Sequence, residues 1–434
     1  MKRLLNLLPP GTIAVGGGLA LLGAASYVHL GVAGHLLEAS DYSSLSVLWS
    51  IVFTIGLGLF MPIEQEVARL VAARRTGGLP PGQVLTRGAA IAAAMLGLFG
   101  LILLGLGDLL TERLFAGDAS LVWVLAGALA ALAVAHTTRG LLSGLQLFPW
   151  YGTQLGIDGG LRIGLVAALG LAGIRSPFWY GLVLVVAPLV SVVCTAPPVL
   201  RAIGGGPPAP WRSLLRGLGL LIVSSLLAQV VVNIGVINAK LLNPDDVATA
   251  GALLSALVLV RIPLFVFASL QASLLPGLAA AATAGNQAAF QSLLRRALGI
   301  VTALGAVGSV VATLLGPWLV RILFDAPEVL TRVDFAWLSI GTLAYLWAMV
   351  LGQAILARNG HRAQALAWVV GTIALAAVTL VPMSTALRVE VAYTVGSIVV
   401  AASMAVLLRR STQTISPVPP LETVASSLAP GDYR

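Results

Sequence analysis

RGAAIAAAMLGLFGLILLGLG, residues 87 to 107, has one charge at its first position and meets the next, Asp108, only after its end. Crossing the roughly 30 Å hydrocarbon core takes about 20 mostly apolar residues in helical form, and this run has that length. Its Leu, Ala and Gly residues show no two-residue alternation, so it does not read as a strand of a transmembrane barrel. A helix satisfies its own backbone groups where no water is available to do so.

Comparable runs recur outward in both directions. Spans are expected near 12 to 35, 44 to 67, 87 to 107, 120 to 146, 152 to 173 and 178 to 200, then near 214 to 242, 247 to 275, 295 to 323, 335 to 356, 364 to 385 and 390 to 408. With 58% hydrophobic residues, 9% charged residues and a mean hydropathy of +0.99, the chain lies outside the range of soluble globular proteins. The expectation is an all-α polytopic membrane protein of about twelve transmembrane helices. The first run follows Lys2 and Arg3 without a clear small-residue cleavage site, so it reads as a retained helix. Cys194 stands alone, which excludes an intramolecular disulfide and a cysteine metal cluster.

Short loops rich in Lys and Arg stay in the cytoplasm. One alternating set of connections carries Arg69, Arg74, Arg75, Arg87, Arg201, Arg212, Arg216, Arg295, Arg296, Arg358, Arg362, Arg409 and Arg410. Acids gather on the other set, with Glu38, Asp41, Asp108, Glu112, Asp118, Asp245, Asp246, Asp325, Glu328, Asp334 and Glu390 read as external. Both termini are then cytoplasmic. The net charge of +9 is a topology signal, and a nucleic-acid partner is not expected because no soluble basic domain would present it.

IGGGPPAPWRS (203 to 213) is a Gly/Pro-rich connector between two sets of six spans. The expected organisation is an N-terminal six-helix bundle over 1–202, the cytoplasmic connector 203–213, a C-terminal six-helix bundle over 214–410 and a disordered tail over 411–434. Two halves of like orientation imply a pseudo-two-fold axis along the membrane normal, with a site between them.

Charges within the hydrocarbon must be accommodated by the fold, since each costs roughly 2.5–3.5 kcal/mol on insertion scales. Asp158 and Arg162 are four apart and share a helix face. They form either a neutralising structural pair or a cavity contact in which Asp158 orients Arg162. Arg261 has no acid within a helical turn and precedes Pro263, where a kink is expected. It must find a carboxylate on another helix, Asp158 being a candidate, or line a water-filled cavity. Glu64 and Glu66 lie near the basic end of the second span. Local pairing with Arg69 accounts for them, and so does an inner gate closing against Arg295 or Arg296. Arg139 is expected at a cavity mouth or interface and joins these glutamates as a gate candidate. His29, His35, His136 and His361 lack ligand spacing, so no metal site is expected and the histidines read as polar packing or interface residues. GGG (16 to 18) is not a phosphate loop, for no GxxxxGK[ST] sequence follows. Glycines within a span permit close helix contact. No catalytic residue and no cofactor is expected.

Four segments carry a family resemblance: RGLLSGLQLFPWYGTQLGIDGGLRIGLVAAL (139 to 169), RIPLFVFASLQASLLPGLAAA (261 to 281), LFMPIEQEVARLVAARR (59 to 75) and GQAILARNGHRAQALAWVVG (352 to 371). With the six-plus-six plan, the chain resembles the multidrug/oligosaccharidyl-lipid/polysaccharide (MOP) exporter superfamily, on its O-antigen and capsule flippase branch. The resemblance implies two six-helix bundles around a central cavity in a bacterial inner membrane. It implies an undecaprenyl-pyrophosphate-linked oligosaccharide as substrate, flipped by alternating access, with membrane lipids and the pathway's glycosyltransferases and polymerase as partners. It also implies that Arg261 is a cavity cation, where a guanidinium suits pyrophosphate by bidentate donation. The alternatives are a multidrug or cation antiporter of the same superfamily, a polytopic glycan polymerase or glycosyltransferase, and a structural partner in envelope assembly. An antiporter needs intramembrane carboxylates, and Asp158 has Arg162 beside it. An enzyme needs a sizeable external loop, and the external connections are short.

Single cysteines introduced near Asp118 and Asp245 are expected to react with an impermeant thiol reagent from outside intact cells, whereas one in the 203–211 connector is expected to be protected. Labelling of the connector from outside would overturn the orientation.

Overall fold

The computed structural model describes residues 12–76, 78–81, 83–202, 211–215, 217–327 and 329–413. These form α1 (Thr12–Leu36), α2 (Ala39–Thr76), α3 (Val84–Leu114), α4 (Ser120–Gly144), α5 (Phe148–Leu171), α6 (Pro177–Cys194), α7 (Ala196–Ala202) and α8 (Trp211–Leu215). They continue through α9 (Leu218–Leu242), α10 (Val247–Val260), α11 (Ile262–Thr283), α12 (Gln287–Phe324), α13 (Arg332–Leu356), α14 (His361–Thr379) and α15 (Thr385–Gln413). No strand occurs among the described residues. Among the described residues eleven helices, against about twelve expected, are long and apolar enough to cross a membrane, as in a multi-pass membrane protein. Most of the 203–213 connector and of the 411–434 tail lies outside the described residues.

The eighth expected span, 247 to 275, is not one helix. It is broken at Arg261, whose φ of −89° and ψ of 0° end α10 and open α11. The cause is Pro263, which has no N–H for the carbonyl one turn back and whose ring collides with that turn. The chain turns through Arg261 with a Leu264 N–H to Arg261 carbonyl bond of 2.8 Å. Arg261 follows the 14 residues of α10, about 21 Å from that helix's start at 1.5 Å per residue.

Lipid exposure grades the helices. On α3, Leu98, Leu101 and Leu104 are exposed, and on α12 so are Val307, Val310 and Leu314. The apolar windows of α2 and α13 are instead 72% and 67% buried. α2 is the central strut, packed on α4 within the first half and on α9 and α10 of the second.

Without a hydrophobic force between helices in lipid, close packing by small residues holds spans together. α1 and α5 meet through glycine: a Cβ at Gly18 would lie 2.7 Å from the Gly152 carbonyl oxygen, and one at Gly159 would lie 2.9 Å from the Leu22 nitrogen. Of the GGG run only Gly18 makes such a contact, since Gly16 and Gly17 face open space. The halves also approach by glycine at the end where α1 and α12 finish. A Cβ at Gly31 would lie 2.7 Å from the Leu323 carbonyl oxygen, and Gly34 lies against Phe324 more tightly still. Near that end the Tyr42 and Ser255 hydroxyls bond at 2.9 Å across α2 and α10.

Candidate functional site

The first half buries a continuous polar network where α2, α4 and α5 meet. Along α5, Tyr151, Gln154, Asp158 and Arg162 recur every three or four residues, so they form one stripe. His136 and Arg139 stand three apart on α4, and Glu64 projects from α2. Glycines beside the charges bring these helices together. Gly140 follows Arg139, and a Cβ there would lie 2.6 Å from the Glu64 carbonyl oxygen.

Asp158 serves two guanidiniums. Arg162 Nη2 donates to its Oδ1 at 3.1 Å, and Arg139 Nη2 donates to its Oδ2 at 3.0 Å. All three side chains are at most 4% exposed. Glu64 accepts from the Tyr151 hydroxyl at 2.8 Å and lies 2.6 Å from His136 Nδ1. An ionised carboxylate can only accept, so Nδ1 carries a proton there. Arg139 also faces Glu64 electrostatically. Two carboxylates therefore balance two arginines, and the network is neutral when His136 is neutral. Arg162 retains capacity, because its Nε and Nη1 are buried without partners. Its guanidinium lies 5.9 Å above the Trp49 ring, whose edge meets His29 at 5.2 Å.

The second half holds Arg261 differently. Its Nη1 donates to Asn233 Oδ1 at 2.9 Å, and Asn233 Nδ2 donates to Gln229 Oε1 at 3.1 Å. Gln229 and Asn233 are four apart on α9, so they share a face. Tyr27, Tyr345 and Tyr393 surround the guanidinium. The Tyr393 hydroxyl bonds the Thr342 hydroxyl at 3.0 Å and also faces Arg261, and Tyr345 donates to the Ala228 carbonyl at 3.3 Å. Nε and Nη2 of Arg261 are buried without an acceptor in full hydrogen-bond geometry, the Tyr393 hydroxyl being the polar group that faces the guanidinium most closely, and no ion pair to Arg261 forms among the described residues. Tyr27 reaches this region from α1, donating to the Val258 carbonyl at 3.1 Å. It also lines an open apolar groove of about 770 Å³ at the protein surface with Gly31, Val32, Leu171 and Leu323.

The structure thus joins Asp158 and Arg162, adds Arg139 to them, and leaves Arg261 apart from Asp158. Glu66 pairs within its helix, accepting from Arg69 Nε at 2.9 Å. Glu64 turns to His136 and Tyr151, while Arg295 and Arg296 are exposed. Sequence spacing does not reveal three of the participants. His136, read only as a polar packing or interface residue, binds Glu64; Tyr151 extends the α5 stripe; Asn233 is the acceptor for Arg261. Outside these clusters, Glu390, at the start of the last expected span, is fully buried on the second turn of α15. Among the described residues no group of three His, Cys, Asp or Glu could hold a metal ion.

No family model matches the chain. An uncharacterised protein of Mycobacterium tuberculosis is 27% identical over 396 residues, 90% of each chain. A second uncharacterised protein of that species is 28% identical over 409 residues, 92% of each chain. Among solved structures, the inward-facing conformation of a multidrug resistance MATE family transporter of the MOP superfamily superposes with a TM-score of 0.73 at 13% identity, over 91% of this chain and 96% of that one. The outward-facing conformation of such a transporter gives 0.69 at 13% identity, over 93% and 95%. A Vibrio cholerae MATE transporter gives 0.68 at 16% identity, over 94% and 96%. The chain therefore has the MATE-like fold that the sequence resemblance implied.

Breaking a buried ion pair by removing one partner costs about 3–5 kcal/mol. Asp158→Asn strands two guanidiniums, so folded, monodisperse yield in detergent is expected to drop sharply. Adding Arg162→Gln is expected to restore only part of it, and adding Arg139→Gln as well to restore most. Full recovery in the double variant would show that the Arg139 contact does not stabilise the protein.

Proposed function

We propose that the protein is an alternating-access exporter that flips an undecaprenyl-pyrophosphate-linked oligosaccharide across a bacterial inner membrane, with both termini in the cytoplasm. The observation that carries this reading is Arg261, a buried cation at a helix break that pairs with no carboxylate among the described residues. Fixed positive charge of this kind in a low-dielectric setting favours an anion over a cationic drug. The planar fork of arginine suits phosphate oxygens, which accept two parallel N–H bonds.

Three further features support it. The first-half network is electrically balanced, so it does not offset Arg261. The open apolar groove suits an isoprenoid chain, and Tyr27 links that groove to the Arg261 region. The fold is shared with transporters described in both inward- and outward-facing conformations. In this reading the Gly31 and Gly34 contacts of α1 with α12 close one face of the pathway and part when that face opens.

Removing the charge from position 261 relieves an insertion cost of roughly 2.5–3.5 kcal/mol, so Arg261→Ala is expected to insert at least as well as wild type. In proteoliposomes containing undecaprenyl-pyrophosphate-linked oligosaccharide, its flipping rate is expected to fall by an order of magnitude or more. Arg261→Lys keeps the charge and loses the fork, so it should retain part of the rate, while Arg261→Glu should abolish it. Wild-type flipping by Arg261→Ala would remove the basis of the proposal. Uptake of cationic drugs without glycolipid flipping would assign the protein to the antiporter class instead.

A further inference from the structure

Lys240 is one of two lysines in the chain, and on the last turn of α9 it is 5% exposed. Its Nζ donates to the Pro244 carbonyl at 2.8 Å. An ammonium has three N–H donors, and it calls for an anion when it is taken out of water. No carboxylate pairs with it among the described residues. Asp245 acts on it electrostatically from the exposed turn after α9, where water weakens the attraction.

Lys240 lines a partly open pocket of about 450 Å³ between the ends of α3 and α9. A second cation, Arg113 of α3, lines the same pocket and also forms no ion pair among the described residues. Leu109 and Leu110 supply an apolar wall from α3 and Leu241 one from α9, and no acid lines the pocket. Arg113 stands four after Leu109 and three after Leu110, so its charge and that wall share one face of α3. Leu109 and Leu241 are 52% and 55% exposed, so the pocket opens towards lipid. Both cations stand within the last turn of a spanning helix, the depth at which a span meets headgroups. The acids of this end are placed otherwise: Asp108 and Glu112 are exposed on α3, and Asp246 is held by Thr249 at 2.6 Å.

We propose that this pocket holds the phosphate of an anionic phospholipid, clamped between Arg113 of the first half and Lys240 of the second. Phosphate oxygens accept charge-assisted bonds from a guanidinium and an ammonium alike, and basic pockets between spanning helices attract anionic headgroups. A free phosphate ion satisfies the cations and leaves the leucines uncovered. A zwitterionic lipid covers the leucines and brings a cation of its own to the pocket. An anionic phospholipid does both tasks, its phosphate on the charges and its glycerol and first methylenes on the apolar wall. Because the two cations belong to different halves, the bound lipid favours the arrangement in which α3 and α9 pack together. Neither cation belongs to the Arg261 region, so the site stands or falls separately from the substrate assigned there.

The test titrates the full chain, purified in a neutral detergent, with phosphatidylglycerol or with phosphatidylcholine of the same acyl chains and reads binding by native mass spectrometry. An Arg261→Ala background keeps the Arg261 region out of the comparison. Phosphatidylglycerol is expected to bind about tenfold more tightly there. Lys240→Gln and Arg113→Gln are each expected to lower that preference and the two together to abolish it, with phosphatidylcholine binding unchanged. Arg175→Gln removes an exposed cation from the turn between α5 and α6 and is expected to leave the preference intact. An equal loss in Arg175→Gln would reduce the effect to surface charge and overturn the proposal. So would an undiminished preference in the Arg113→Gln, Lys240→Gln double variant, no preference in the Arg261→Ala background, or inorganic phosphate raising the unfolding temperature as much as phosphatidylglycerol does. Should the variants fail to fold, phosphatidylglycerol with a photoreactive headgroup decides in the wild type. Crosslinks at the ends of α3 and α9 that phosphatidylglycerol competes away and phosphatidylcholine does not support the site. Crosslinks elsewhere alone, or none, contradict it.

Discussion

A charge inside hydrocarbon must be compensated by protein, because lipid offers nothing to bond to and insertion costs roughly 2.5–3.5 kcal/mol per charge. That constraint orders the interior of this fold. Asp158 would be intolerable alone at the middle of α5, and it is held by guanidiniums from two helices. Glu64 would be equally costly, and it takes a phenol and an imidazole. Each arrangement requires backbones close enough for side chains to meet, which is why glycines flank the charges. Gly140 lets α4 approach α2 beside Arg139, and Gly159 lets α5 approach α1 beside Asp158.

Arg261 shows what incomplete compensation looks like. Asn233 satisfies one nitrogen, three phenols surround the group, and no carboxylate arrives. The helix break caused by Pro263 places this cation at an irregular point of the backbone. Such points are tolerated at membrane depth only where protein or a water-filled cavity receives them. One half therefore carries a balanced network and the other an unbalanced cation. Tyr27 ties the two together by crossing from α1 to the last turn of α10.

The spans are legible in the sequence because an apolar run of bilayer length is seldom anything but a spanning helix. The Asp158–Arg162 contact is legible too, because spacing by four fixes a shared face. Arg139 is not tied to Asp158 in the same way, for the two stand on neighbouring helices and no local periodicity links them. Pro263 announces a distortion in the eighth span, yet whether the helix bends or breaks depends on what receives Arg261, and Asn233 is remote in sequence. Glu390 reads as external because acids cluster beyond span ends. Its burial depends on the packing of α15 against α13, which charge counting does not register.

Equilibrium binding to lipids that differ only in headgroup charge tests the central claim most directly. Native mass spectrometry of the wild-type protein with undecaprenyl pyrophosphate and with neutral undecaprenol separates the anionic contact from the fit of the chain. If the uncompensated Arg261 is an anion site, the pyrophosphate lipid binds at least tenfold more tightly, a difference of about 1.4 kcal/mol, and Arg261→Ala removes that preference while leaving undecaprenol binding unchanged. Equal affinity for the two lipids in the wild-type protein would contradict it.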